Sequence, residues 1–173
     1  MCGHKRCYPL TILDDHSRFL VTLATCPNER GETIKPVIIK TFKRYGLPNR
    51  INVDNGNPWG SMYSCARYTT FSLWLMDLGV RVSHSRPRHP QTNGKDERLH
   101  RTLKHELLNQ GQFDDFPALQ QAFIEWREQY NCDRPHEALQ MQSPIARYRP
   151  SIREYPDCIQ PYEYSDNEMD SPR

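Results

Sequence analysis

The 173-residue chain has no apolar run approaching the roughly 20 residues that a membrane-spanning helix needs. Its opening residues, Met1-Cys2-Gly3-His4-Lys5-Arg6, carry charge with no apolar stretch behind them, so they do not read as a secretory leader. Six cysteines are present, but no two stand three apart, which excludes the C-x-x-C spacing of zinc and redox motifs. With no sign of export, they are expected to be reduced thiols in a cytosol. Hydrophobic residues make up 36% and mean hydropathy is −0.85, a composition on the polar side. Together these absences argue for one soluble domain, long enough to bury a core without staples.

The net charge of +2 conceals an asymmetry. Residues 154–173 hold six acids and one base, leaving 22 bases against 15 acids, or +7, on residues 1–153. A basic body with an acidic tail suits a nucleic-acid partner, although charge speaks to partners and not to fold.

Apolar patterning predicts a hairpin from Tyr8–Leu13 and Phe19–Ala24, turned by Asp14-Asp15-His16-Ser17. Ile34, Val37, Ile38, Phe42 and Tyr45 predict a helix over 33–45, with Pro36 in its first turn and a stop at Gly46-Leu47-Pro48. A short strand, Arg50–Asp54, ends at Asn55-Gly56. A helix over 71–78, capped by Thr69 or Thr70, leads to a strand at Val80–His84. A basic helix then runs from about Asn93 to Leu108, with Leu99, Leu103 and Leu107 as its buried stripe. A long helix over 116–131 follows, and beyond Pro150 the chain reads as an extended or disordered acidic tail, rich in Pro and Tyr. Strands and helices in this order predict an α/β domain over 1–150 and a tail over 151–173.

Two acids stand where ligands gather. Asp54 closes a buried strand, and ligands collect beyond the carboxyl ends of strands in open α/β sheets. The plainer role for Asp54 is an Asx turn ending that strand. Glu97 sits in the first turns of the basic helix, where an acid also simply complements the helix dipole. Around it lie Arg81, Arg86, Arg88, Lys95, Arg98, Arg101 and Lys104, with His84, His89, His100 and His105 as further donors. On a helix Glu97 shares a face with His100, Arg101 and Lys104. A carboxylate among cations on an anchored helix can hold a metal while its neighbours hold phosphates, but a plain solvated salt-bridge face is the reading these residues favour by themselves.

The string from His84 to Lys104, HSRPRHPQTNGKDERLHRTLK, resembles the signature of the integrase core domain of retroviral-type integrases and bacterial insertion-sequence DDE transposases. Leu13-Asp14-Asp15-His16-Ser17-Arg18 resembles that family's second-strand motif, and Val53-Asp54-Asn55-Gly56 its fourth-strand motif. Tyr130-Asn131, Arg134–Leu139 and Ser143-Pro144 resemble the closing segment. The resemblance covers residues 7–150. It implies a ribonuclease-H-like mixed sheet flanked by helices, and metal-dependent DNA strand cleavage and joining in transposition or integration. It places catalytic and metal-binding roles on Asp54 and Glu97, with two Mg²⁺ or Mn²⁺ ions acting on the attacking and leaving oxygens. It gives His84, Arg86, Arg88, Asn93, Lys95, Arg98, Arg101 and Lys104 to DNA. Transposon ends and target DNA, a homo-oligomer with an intact transposase, and a bacterial, nucleoid-associated cytoplasm are the implied partners and place.

One departure matters. The family's first acid stands on a strand ahead of the hairpin, yet Met1 to Arg6 contain no Asp or Glu and are too few for a strand and turn. Asp14 and Asp15 align with a turn, where Asp14 is expected to cap. The 42 residues between Asp54 and Glu97 also exceed the family's usual spacing, with the stretch from Trp59 to Tyr68 a natural place for the excess. The expectation is therefore a partial core, lacking the opening strand and inactive alone. The alternatives are a non-enzymatic DNA-binding remnant that modulates an intact transposase and, further off, a nuclease acting on hybrids.

Overall fold

The computed structural model describes residues 6–54, 56, 58–60, 68–84 and 94–158. Strands β1 (Tyr8–Leu13) and β2 (Leu20–Cys26) form an antiparallel hairpin with Leu10 opposite Ala24 and Ile12 opposite Thr22. Asp14 closes the turn in the capping role its position predicts: its carboxylate accepts from the Ser17 amide (2.8 Å) and the Ser17 hydroxyl. Arg18 completes the turn in the left-handed region, at φ 61°. Strands β3 (Arg50–Val53) and β4 (Arg81–His84) pair in parallel, with Val53 opposite His84. Among the described residues the sheet is therefore two two-stranded ladders, not one continuous ladder.

The pleat distributes the hairpin between two helical layers. Leu10 and Ile12 face helices α1 (Gly31–Tyr45) and α2 (Thr70–Asp77), packing on Ile34, Ile38, Phe42, Phe71, Trp74 and Leu75. Ile51 of β3 and Val82 of β4 pack on the same cluster, so both ladders share one core. The opposite face of the hairpin, Leu13, Leu20 and Leu23, meets Leu99 and Leu103 of α3 (Gly94–Leu103) and Leu119, Phe123, Trp126 and Tyr130 of α4 (Phe116–Cys132). A fully buried side chain such as Phe123 stabilises this layer by about 2–3 kcal/mol.

Local chemistry sets the element ends. Thr69 caps α2, its hydroxyl accepting from the Ser72 amide at 3.1 Å, and Asp115 caps α4 through the Ala118 amide at 2.8 Å. Helix α1 starts two residues earlier than the apolar spacing predicts, at Gly31, so Pro36 falls in the second turn and not the first. Its ring nitrogen there cannot donate back to the preceding turn. The basic helix also departs from expectation. Beyond Leu103 it widens into a π-helical turn, Lys104–Leu108, closed by Asn109 N–H donating to Lys104 O at 2.9 Å. That turn carries Glu106, whose carboxylate accepts from Trp126 Nε1 (3.0 Å) and from Arg134.

Helix α4 also seals the outer edge of β2. Asn131 accepts from Leu20 N–H (2.8 Å) and donates to Leu20 O (3.0 Å), and Arg127 Nε donates to the same oxygen (2.7 Å). Gln120 accepts from Thr25 N–H (2.9 Å) and donates to Leu23 O (3.2 Å). Side-chain amides thus take the place of a further strand and protect an edge that would otherwise recruit one. A short helix α5 (Pro144–Arg147) follows a single 3₁₀ turn at Glu137–Leu139. After it, residues 151–155 run extended along the body, where Arg153 donates to the carbonyls of Pro48, Leu78 and Gly79.

Candidate active site

Asp54 stands directly after β3, and its position follows from the parallel register. Val53 is level with His84, so the carboxyl ends of β3 and β4 open side by side. Asp54 is exposed, and its Oδ1 accepts from the Gly56 amide at 2.9 Å. The Asx turn is therefore present, and it fixes the carboxylate instead of consuming it. A Cβ on residue 56 would lie 3.3 Å from Oδ1 and 3.6 Å from Oδ2, so glycine keeps that flank of the carboxylate clear. His84 leans across, its Nδ1 3.3 Å from Asp54 O.

Glu97 lies in the first turn of α3 and is exposed. Leu99 and Leu103, buried at 2% and 1% exposure, anchor the helix and turn Glu97, Arg98, Arg101 and Lys104 to solvent. Two members of the predicted cationic set have local partners. Lys95 Nζ is ion-paired with Asp15 of the hairpin turn and also meets Asp15 O at 3.3 Å. His100 Nε2 lies 3.0 Å from Thr11 Oγ1 of β1. Both contacts dock the start of α3 onto the hairpin. Arg86, Arg88 and Asn93 lie outside the described residues.

The sequence reading passed over three groups beside this helix. Burial pushes the Asp96 carboxyl above the ordinary range; Asp15 adds to the rise, while His100 and Lys95 oppose it. The signal was legible, because Asp96 precedes Leu99 by three and Leu103 by seven and so shares their inward face. Arg18 Nη1 is buried with no hydrogen bond, its charge facing Asp15 Oδ1 at 4.0 Å. Burial lowers the His136 imidazole pKa, and Arg134, Arg18 and Arg98 lower it further. His136 packs edge-on against Tyr130 at 5.0 Å, and burial raises the Tyr130 hydroxyl to about 12. Tyr130, Arg134 and His136 belong to the closing motif, whose work here is to pack and bond α3, the π turn and α4 together.

Asp54 and Glu97 supply hard oxygen donors of the kind divalent cations require. Among the described residues, no three His, Cys, Asp or Glu side chains gather closely enough to hold a metal ion. Each acid suits a divalent metal by donor chemistry. No helix among the described residues is long and apolar enough to cross a membrane.

The chain is 25% identical over 136 residues to an uncharacterised 39.2 kDa protein of insertion element IS476 from Xanthomonas euvesicatoria, covering 79% of this chain and 37% of that protein. It is 35% identical over 86 residues to the transposase of insertion sequence IS904 from Lactococcus lactis, covering 49% of this chain and 33% of that one. A Gag-Pol polyprotein of walleye dermal sarcoma virus shares 31% over 109 residues, covering 62% of this chain and 6% of the polyprotein. The chain spans about a third to a half of the bacterial insertion-element proteins it matches. The catalytic core domain of BIV integrase superposes with a TM-score of 0.58 at 19% identity, covering 84% of this chain and 87% of that one. That superposition gives the chain the fold of a retroviral integrase core, which is ribonuclease-H-like. Integrase core domain profiles match residues 1–90 and 78–144, and the chain belongs to the integrase core domain family.

Proposed function

We propose that the chain is the catalytic-core portion of a DNA transposase or integrase that cleaves and joins DNA strands by phosphodiester transfer. The observation that carries this is the placement of Asp54 at the open carboxyl end of a parallel strand pair, with Glu97 on the solvent face of a basic helix, inside an integrase core. The family is divalent-metal dependent. Asp54 and Glu97 would hold the cation, which when bound activates the attacking oxygen and stabilises the leaving one. The Gly56 amide orients the Asp54 carboxylate. Arg98 next to Glu97, Arg101 about one turn on and Lys104 at the start of the π turn, all exposed, hold backbone phosphates and set the strand's register without reading bases. Lys95 and Asp15 hold the helix start against the hairpin and so fix where Glu97 stands. DNA ends and target DNA are the substrates, a homo-oligomer is the working form, and the nucleoid is the place of action.

The test is nicking of supercoiled plasmid by the 173-residue chain with Mn²⁺ or Mg²⁺. Nicking that disappears in both Asp54→Asn and Glu97→Gln supports the enzyme. DNA binding without nicking, unchanged in either variant, would replace it with a non-enzymatic DNA-binding protein. Binding itself should weaken steeply with salt, and Arg101→Ala should reduce the slope of log K against log salt by about 1.

A further inference from the structure

Strands β3 and β4 each begin with an arginine, and the parallel register sets the two level, Arg50 opposite Arg81. Their backbones are therefore one strand spacing apart, about 4.8 Å. The pleat decides which way both side chains point. Ile51 and Val82 turn to the core formed with α1 and α2. Arg50 and Arg81, with Asn52 and Ser83, turn to the opposite face. Ser83 Oγ lies 3.3 Å from Asn52 Oδ1, which puts that second pair on one face as well. Both arginines are exposed. Carried one residue past β3, the alternation brings the exposed Asp54 to this same face.

Like charges set directly across neighbouring strands repel and destabilise the pair, and an anion over them relieves that repulsion. Among the described residues neither guanidinium has a hydrogen bond or an ion pair. Other arginines differ: Arg134 is ion-paired with Glu106, and Arg153 donates to three carbonyls. The strap that Arg153 anchors passes this same end of β3 and β4, yet among the described residues its acids Glu154 and Asp157 pair with neither arginine. Two guanidinium forks side by side on an open face match the paired oxygens of phosphodiesters. From Arg50 to Asp54 is about 13 Å of strand, or about four nucleotides at roughly 3.4 Å of rise each.

We propose that Arg50 and Arg81 form a second DNA contact, holding backbone phosphates about 13 Å from Asp54 on the face of β3 and β4 turned away from α1 and α2. The bound strand then runs along this face, from the arginine pair toward the Asp54 carboxylate. The pair supplies affinity and alignment without reading bases. This assignment rests on the DNA-binding part of the proposed function and not on strand cleavage, so it can be measured without a metal.

The experiment measures binding of a fluorescein-labelled DNA duplex of about 30 bp to the full chain in EDTA, by anisotropy between about 50 and 200 mM KCl. Each phosphate contact contributes about 0.9 to the slope of log K against log salt. The expected result is a slope shallower by about 1 in Arg50→Gln and in Arg81→Gln, and by about 2 in the double variant. Lys40→Gln removes the same charge from the exposed side of α1, across the sheet, and should leave the slope within about 0.5. Single variants that change the slope no more than Lys40→Gln overturn the assignment. A slope that falls only once Glu163, Asp166, Glu168 and Asp170 are also neutralised overturns it too, and makes the acidic tail the occupant. Should the double variant not fold, the two single variants decide. No DNA binding by the unmutated chain would remove this assignment and the proposed function together. Binding without nicking, with the slope lowered as expected, would leave this assignment standing and remove only the enzymatic reading.

Discussion

The strap formed by residues 151–155 sits far along the chain from Asp54 and His84, yet it holds the entries to both of their strands. The Arg153 guanidinium donates to Pro48 O (2.9 Å), ahead of β3, and to Leu78 O (3.0 Å) and Gly79 O (3.1 Å), ahead of β4. The strap is held by backbone too, Leu47 N–H donating to Arg153 O and Ser151 N–H to Tyr45 O. Gly46 makes this approach possible: its φ is 79°, and a Cβ there would stand 2.4 Å from Ser151 O. Arg153→Ala removes two half-buried charge-assisted bonds and one exposed bond. At about 1–1.5 kcal/mol for each half-buried bond and little for the exposed one, the expected cost is about 2–3 kcal/mol. Gly46→Ala combines backbone strain with a clash against main chain, and should cost about 2–4 kcal/mol by lifting the strap. Once the strap is lifted, Arg153 has already lost its partners. The double variant should therefore cost about as much as Gly46→Ala alone, a coupling of about 2–3 kcal/mol. Urea unfolding followed by tryptophan fluorescence measures this cycle. With a slope of about 2 kcal/mol per molar, Arg153→Ala should lower the midpoint by roughly 1–1.5 M. Costs that add to within about 0.5 kcal/mol would refute the strap as a single unit.

The edge seal and the closing motif are tested in the same way. Asn131→Ala leaves the buried Leu20 amide unpaired and should destabilise by about 2–4 kcal/mol in the same urea assay, whereas a loss below 0.5 kcal/mol would mean that the β2 edge needs no partner. His136 has its folded pKa below the unfolded value of 6.5, so the unfolded chain binds the extra proton first and stability falls as the pH drops below about 6.5. His136→Gln should flatten that fall in melting temperature between pH 7 and 5.5, and an unchanged slope would assign the acid sensitivity elsewhere.

What local chemistry dictates was legible residue by residue. The Asp14 turn, the Thr69 cap, the leucine stripe of α3 and the helical span of α4 each depend on neighbours within one turn or hairpin, where spacing and side-chain type suffice. Asp54 and Glu97 were legible for the same reason: one ends a strand, the other begins a helix. The π turn at Lys104–Leu108 was not legible, because leucine spacing continues through it and only Trp126 and Arg134, far along the chain, draw Glu106 inward. The Lys95–Asp15 pair spans 80 residues, and the Arg153 bonds to Pro48 and Leu78 span 105 and 75. No periodicity encodes such contacts, since they arise only when separate elements pack. The sequence by itself determined the order of elements, the family and the two exposed acids. Only the tertiary structure decided which basic residues are engaged locally, that among the described residues α4 side chains close the β2 edge, and that the His84 ring reaches the Asp54 carbonyl. Each of those depends on the relative placement of distant backbone, and a side chain's partner is set by that placement more than by its type.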